Sequence, residues 1–171
     1  MNIPGSHMQL TRAPAAVLLR PAVTSDQAFL DTLYLSTRDD LQALAGDPAL
    51  RPTIAALIAM QQQAQAAGYR AAYPGAEYLV IEHGGAAAGR VVVHAHDGSL
   101  RLVDISVLPA ARGHGCATAV LSQLQQRAAD AAHAMHLTVR RDNAGARRLY
   151  QRLGFAIVAD DALDLHLRWQ P

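Results

Sequence analysis

Lysine is absent from this chain: all fifteen of its cationic side chains are arginines. No side chain is therefore available as a Schiff-base former or a lysine base. A Walker-type nucleotide site is excluded as well, because it ends in Gly-Lys-Ser/Thr. Cysteine occurs once, as Cys116, which excludes a disulfide scaffold. Glutamate occurs only as Glu77 and Glu82, so either one stands out. No apolar run reaches the ~18–20 residues of a membrane span, and a soluble protein of cytoplasmic character is expected. The formal charge is +1, from 15 basic and 14 acidic residues. A nucleic-acid partner is not expected, because phosphate contacts need a clear cationic excess.

What the chain does have is core-forming mass. Of its 171 residues 51% are apolar and only 17% charged, a composition that folds as one domain rather than staying disordered. Gly5-Ser6-His7-Met8 resembles the scar of a cleaved expression tag. Residues 1–7 are therefore set apart, and 8–171 are read as a single domain.

Val17–Val23 reads as a first strand, brought to a sheet edge or a strand end by Pro21. Thr24-Ser25-Asp26 is a turn and helix cap, and Phe29, Leu30, Leu33, Thr37, Leu41 and Leu44 recur at helical spacing to about Ala45. A second helix is predicted from about Pro52 to Ala67, stopped by Gly68. The period then changes to two. Strands over Tyr78–Glu82, Gly89–Ala95 and Leu100–Leu108 form a meander, with Asp97-Gly98 as a hairpin turn. Strict alternation in the third strand places Arg101, Val103, Ile105 and Val107 on one face and Leu102, Asp104 and Ser106 on the other. A helix over about Gly115–Ala131, a strand over Met135–Arg141, a short helix from Asn143 to Leu153 and strands over Phe155–Ala159 and Leu163–Trp169 complete the order.

The richest chemical signal is Arg112-Gly113-His114-Gly115-Cys116-Ala117-Thr118, between a Val/Ile strand and an amphipathic helix. Glycines turn the chain tightly and leave backbone N–H groups unobstructed at a positive helix end, which suits phosphate oxygens. An ordinary glycine-rich connection is the other reading. A dinucleotide fingerprint fits poorly. Thr118 stands where Gly or Ala belongs, and the loop lies two-thirds along the chain instead of in a first βαβ unit.

Two motifs here resemble the GCN5-related N-acetyltransferase (GNAT) superfamily. One is Arg112-x-x-Gly115-x-Ala117, preceded by Asp104-Ile105-Ser106-Val107-Leu108-Pro109; the other is Asn143-x-x-Ala146-x-x-Leu149-Tyr150-x-x-Leu153-Gly154-Phe155. The resemblance implies an α/β (mixed α+β) fold. Its central mixed sheet would have about seven strands, splay in the middle and carry four flanking helices. It implies acetyl-CoA as cofactor and transfer of the acetyl group to a primary amine of a small molecule or peptide. Backbone groups of Val107 and Leu108 would pair with the pantetheine arm. The N–H groups of Gly113, His114, Gly115, Cys116, Ala117 and Thr118 would cradle the pyrophosphate. Arg112 would stand near phosphate or fix the loop, and Asn143 would contact or order the pantetheine arm while also suiting a helix cap. Tyr150 matches a tyrosine near the thiolate sulfur, with a phenol suited to return a proton.

The base is open among Asp104, Glu82 and Glu77, and an amine that arrives neutral needs none. Asp104 interrupts an otherwise apolar strand and so needs a partner or a task. Tyr34, Arg38, Gln61, Gln65, Tyr69, Arg70 and Tyr73 are candidates to line the acceptor pocket, Arg70 for a carboxylate or phosphate. His94-x-His96 lacks a third ligand, so no metal is expected. A homodimer through an edge strand or the last hairpin is expected to be accessible. The competing reading of the whole is a non-catalytic acyl-CoA-binding sensor or structural module.

Overall fold

The computed structural model describes residues 16–171. The tag-like residues 1–7 and Met8 lie outside the described residues. The elements are β1 (Val17–Pro21), α1 (Gln27–Leu35), α2 (Asp39–Ala45), α3 (Arg51–Ala72), β2 (Glu77–His83), β3 (Ala86–His96), β4 (Ser99–Val107), α4 (Cys116–Asp130), β5 (Ala134–Arg140), α5 (Ala144–Arg152), β6 (Ala156–Asp160) and β7 (Asp164–Trp169). The seven strands form one mixed sheet in the order β1-β2-β3-β4-β5-β7-β6. Only β4 and β5 run parallel.

Five helices flank the sheet where four were expected, because the first predicted helix is two. Ser36 Oγ donates to the Leu33 carbonyl at 2.6 Å and Thr37 Oγ1 to that of Tyr34 at 2.7 Å. Hydroxyls that bind the preceding turn compete with the helix ladder, and the chain breaks between Leu35 and Asp39. The second predicted helix does not stop at Gly68 but runs to Ala72, where the Tyr73 N–H closes on the Tyr69 carbonyl at 2.8 Å. One internal glycine costs only about 1 kcal/mol, which alanine-rich flanks tolerate.

The core lies between the sheet and α4. Val120, Leu121, Leu124 and Ala128 of α4 pack on Ile81, Val91, Val93, Leu102, Met135, Leu137 and Leu165, all buried. Strict alternation fails in β4. Val92 stands opposite Asp104 and Val93 opposite Leu102, leaving Val103 as the extra residue of a bulge. The bulge shifts the phase by one. Leu102 joins Ile105 and Val107 against the α4 core, while Asp104 and Ser106 keep the opposite face. That face carries α1 and α3: Arg90, opposite Ser106, donates to Gln65 of α3.

The sheet opens between its two parallel strands. Ser99–Leu102 pairs with Ala134–Leu137 and pairing then ends, although β4 continues to Val107 and β5 to Arg140. The expected splay is therefore present, and it leaves strand edges facing a gap. Among the described residues no helix is long and apolar enough to cross a membrane.

Candidate active site

The loop after β4 turns on Gly113 and Gly115, whose φ values of +76° and +78° lie in the left-handed region. Gly115 is the N-cap of α4, and no side chain caps that helix. Among the described residues, no backbone hydrogen bond uses the N–H groups of Gly113, His114, Gly115, Cys116, Ala117 or Thr118; the ladder starts with Ala119 N–H on the Gly115 carbonyl. These N–H groups lie at a positive helix end. A cavity of about 570 Å³ lies between Gly113, Gly115, Cys116, Ala117 and Thr118 on one side and Gly145, Ala146, Leu149 and Arg152 of α5 on the other.

This cavity runs into the splay. The larger cleft, about 750 Å³, shares Val107, Arg112, Ala117 and Leu149 in its wall. It extends past Leu102–Ser106, Thr138, Val139, Arg140, Asn143 and Tyr150 to Ser36, Thr37 and Asp39. One channel therefore leads from the free amides, between the parted strands, to the break between α1 and α2.

Several expected residues meet in this channel. Arg112 Nε donates to the Val107 carbonyl at 2.9 Å, so Arg112 fixes the loop to the end of β4. Asn143 caps α5, its Oδ1 accepting from the Ala146 N–H at 3.0 Å, and also lines the cleft. The Leu108 N–H is not free: it donates to the Ala88 carbonyl at 2.8 Å. Because donors alternate along an antiparallel pair, Val107 and Ile105 present their N–H groups to the other edge, toward the gap. Leu108 instead lines a shallow groove outside the cleft with His83 and His114. The His114 ring lies 6.3 Å from that of His83, and His114 does not line the cavity at the helix end. Cys116 is buried in the core and its thiol is pushed up by burial, which makes it packing rather than a nucleophile.

Tyr150 is 6% exposed, packs edge-on against Phe155 at 5.8 Å and lines the cleft. Its hydroxyl makes no hydrogen bond among the described residues. Burial first, and the negative charge of Asp104 second, push the phenol up to about 12. Asp104 faces the same cleft, with Oδ2 held by Arg90 Nη2 at 2.7 Å and Nε at 3.0 Å. Tyr69 is likewise pushed up to about 12, by burial and then by Asp104.

Other expectations are corrected. Glu82 does not line the cleft: Arg20 Nε binds it at 2.7 Å while holding Asp26 as well. Glu77 is paired with Arg127 of α4 at 3.0 Å, which ties β2 to that helix. Around the acceptor end, Tyr34 and Gln65 border a small recess with Arg90, Asp104 and Ser106. Arg38 is spent on Asp40, at 2.7 Å, and on Gln61, also at 2.7 Å. Arg70 lies over the Tyr78 ring at 5.6 Å, and Tyr73 packs on His94 and under Arg101; neither lines the cleft, because the longer α3 carries them past it. His94 is engaged by the Pro74 carbonyl at 2.9 Å, and the described residues hold no cluster of three metal-ligating side chains. The sequence reading missed Ser36, Thr37, Asp39, Arg90 and Thr138 as lining residues, whereas Arg140, read as part of a basic run near the cofactor mouth, does line the cleft. The Ser-Thr pair was a readable helix-break signal; the others depend on strand pairing.

The acetyltransferase (GNAT) family matches residues 40–155, most of the chain, and the chain belongs to it. Acetyl-CoA is accordingly its cofactor, and the free amides beside open cavity suit a pyrophosphate. No curated protein matched. Among solved structures, PaiA N-acetyltransferase of Thermoplasma acidophilum in complex with coenzyme A aligns with a TM-score of 0.66 at 12% identity, over 91% of this chain and 99% of that one. Ribosomal-protein-alanine N-acetyltransferase of Brucella melitensis aligns with a TM-score of 0.58 at 22% identity, over 90% and 99%. A Salmonella typhimurium structure with its cofactor acetyl-CoA aligns with a TM-score of 0.52 at 23% identity, over 91% and 94%. At these identities the likeness is one of fold.

Proposed function

We propose that this chain transfers the acetyl group of acetyl-CoA to a primary amine of a small molecule or peptide, by direct attack in a ternary complex. The observation that carries the reading is the single channel from the unpartnered Gly113–Thr118 amides through the splay to Asp104 and Tyr150. Acetyl-CoA supplies an activated thioester carbonyl. The chain supplies everything else.

The loop amides and the α4 dipole hold the pyrophosphate. Arg112 keeps the loop docked on Val107, and the gap-facing N–H groups of Ile105 and Val107 orient the pantetheine arm along β4. Asn143 acts through the α5 cap that positions Tyr150. Asp104 receives the proton that the attacking amine must lose, with Arg90 fixing the orientation of its carboxylate. Tyr150 donates a hydrogen bond toward the sulfur as charge develops there. The gap between the parted strands leaves room for amine and thioester together, which is what a ternary complex requires.

Thermal shift with acetyl-CoA, followed by thiol release against a panel of amines and peptides, tests the reading. Binding with turnover on at least one amine is expected. One observation favours the sensor reading: Glu77, Glu82 and Asp104 are all ion-paired. Binding without turnover across the whole panel would decide for it.

A further inference from the structure

Across β4, β5 and β7, Arg101 stands opposite His136, and His136 opposite Arg168. Directly opposed residues share a sheet face, so these three form a row. It lies on the side away from the core residues Met135 and Leu137. Arg168 is exposed, and Arg101 and His136 are half-exposed. Among the described residues neither arginine forms an ion pair, which they share with Arg51, Arg70, Arg112, Arg147, Arg148 and Arg152, whereas Arg20, Arg38, Arg90, Arg127, Arg140 and Arg141 are paired. The Nε of Arg101 is buried with no hydrogen-bond partner. Its Nη2 donates to Thr138 Oγ1 at 3.0 Å, and its guanidinium lies over the Tyr73 ring at 5.7 Å, which holds it in place. Burial and the two flanking guanidinium charges depress the His136 imidazole below its ordinary range. The row therefore carries a held guanidinium at Arg101 and an exposed one at Arg168, and among the described residues no acid is ion-paired with either.

The row leads into the channel. Thr138 and Arg140, on the same face of β5, line the cleft. Thr138 is two residues from His136, about 7 Å along the strand. Arg101 and Arg168 are two strand spacings apart, about 10 Å. An extended peptide with acidic side chains on one face, recurring every ~7 Å, can meet both arginine arms while it stays linked to the amine in the cleft.

We propose that the Arg101–His136–Arg168 row docks acidic side chains of a peptide acceptor, about two to four residues beyond the amine that enters the cleft. The site deepens the acetyl-transfer reading and, as regards the acceptor, rests on it. Charge selects the partner class: two arginines without an ion-paired acid reject cationic acceptors and favour a peptide with Asp or Glu at alternate positions.

The test uses the full chain and a fluorescent peptide with a free N-terminus and Asp or Glu at its third and fifth positions. A matched Asn/Gln peptide serves as reference. In fluorescence anisotropy the acidic peptide is expected to bind at least tenfold more tightly than the neutral one. Arg101→Ser and Arg168→Ser should each remove about tenfold of that preference, while Arg51→Ser, at an exposed site on α3, should not. In acetyl transfer the same two variants should raise KM for the acidic peptide and leave kcat and the neutral peptide unchanged. Equal binding of the two peptides overturns the proposal. So does equal loss in Arg51→Ser, or competition by inorganic phosphate or a short single-stranded oligonucleotide as strong as that by unlabelled acidic peptide. Arginine-dependent binding without turnover upholds the docking site and defeats the acetyl-transfer reading, so the two failures are distinct.

Discussion

Tyr150→Phe separates two roles of the tyrosine that the structure distinguishes by magnitude. In the proposed complex a phenol held at about 12 would face a sulfur whose ordinary thiol value is about 8.5. Outright proton transfer between them is uphill by roughly 3.5 pK units, about 5 kcal/mol. A hydrogen bond to the developing charge is the smaller demand, with removal costing about 1.5–3 kcal/mol. That converts to a fall in kcat of roughly 10- to 150-fold, below the upper range of full acid catalysis. The ring stays in place, because its packing on Phe155 does not involve the oxygen. The hydroxyl has no protein partner to lose, so stability should move by less than about 0.5 kcal/mol. The assay is single-turnover release of CoA thiol at saturating acetyl-CoA and amine, with acetyl-CoA affinity and chemical denaturation measured alongside. An unchanged single-turnover rate would remove Tyr150 from the chemistry. A loss of affinity equal to the loss of rate would make it a binding residue only.

Three further outcomes are expected. Gly115→Ala forces a side chain into a left-handed φ of +78° with nothing within 4 Å of the new methyl, so the cost is backbone strain of about 1–2 kcal/mol. Denaturation should show that loss and calorimetry a weaker grip on acetyl-CoA; unchanged values for both would contradict the cradle. Asp104→Asn should slow transfer at least about tenfold by removing a general base. It should also bring the Tyr150 phenol down from about 12, visible in an alkaline ultraviolet titration, because the Asp104 charge is one of the two causes holding it there. Asp26, held by Arg20 and by the Val23 N–H, has its carboxyl lowered from 3.8 to about 2. Its contribution to stability is complete above pH 3.8 and is lost as the pH falls through 2, so Asp26→Asn should flatten the acid limb of a stability profile.

The sequence by itself determined the parts that depend on near neighbours. A hydrophobic stripe at helical spacing makes α4 whatever lies around it, and Gly113 with Gly115 makes the turn whose amides stay free, because left-handed backbone is a local property. The seven strands and the family resemblance followed from the same local signals. Tertiary structure decided what depends on pairing. The bulge at Val103 exists only in register with Val92 and Val93, and it turns Leu102 into the core while leaving Asp104 on the opposite face, in the cleft. An ion pair holds Glu82 to Arg20, 62 residues away in sequence, and Glu82 does not line the cleft. The Ala88 carbonyl claims the Leu108 N–H and leaves that of Val107 to the gap. Each of these turns on which atom a second strand places opposite the first, and the spacing of residues along one strand carries no record of that.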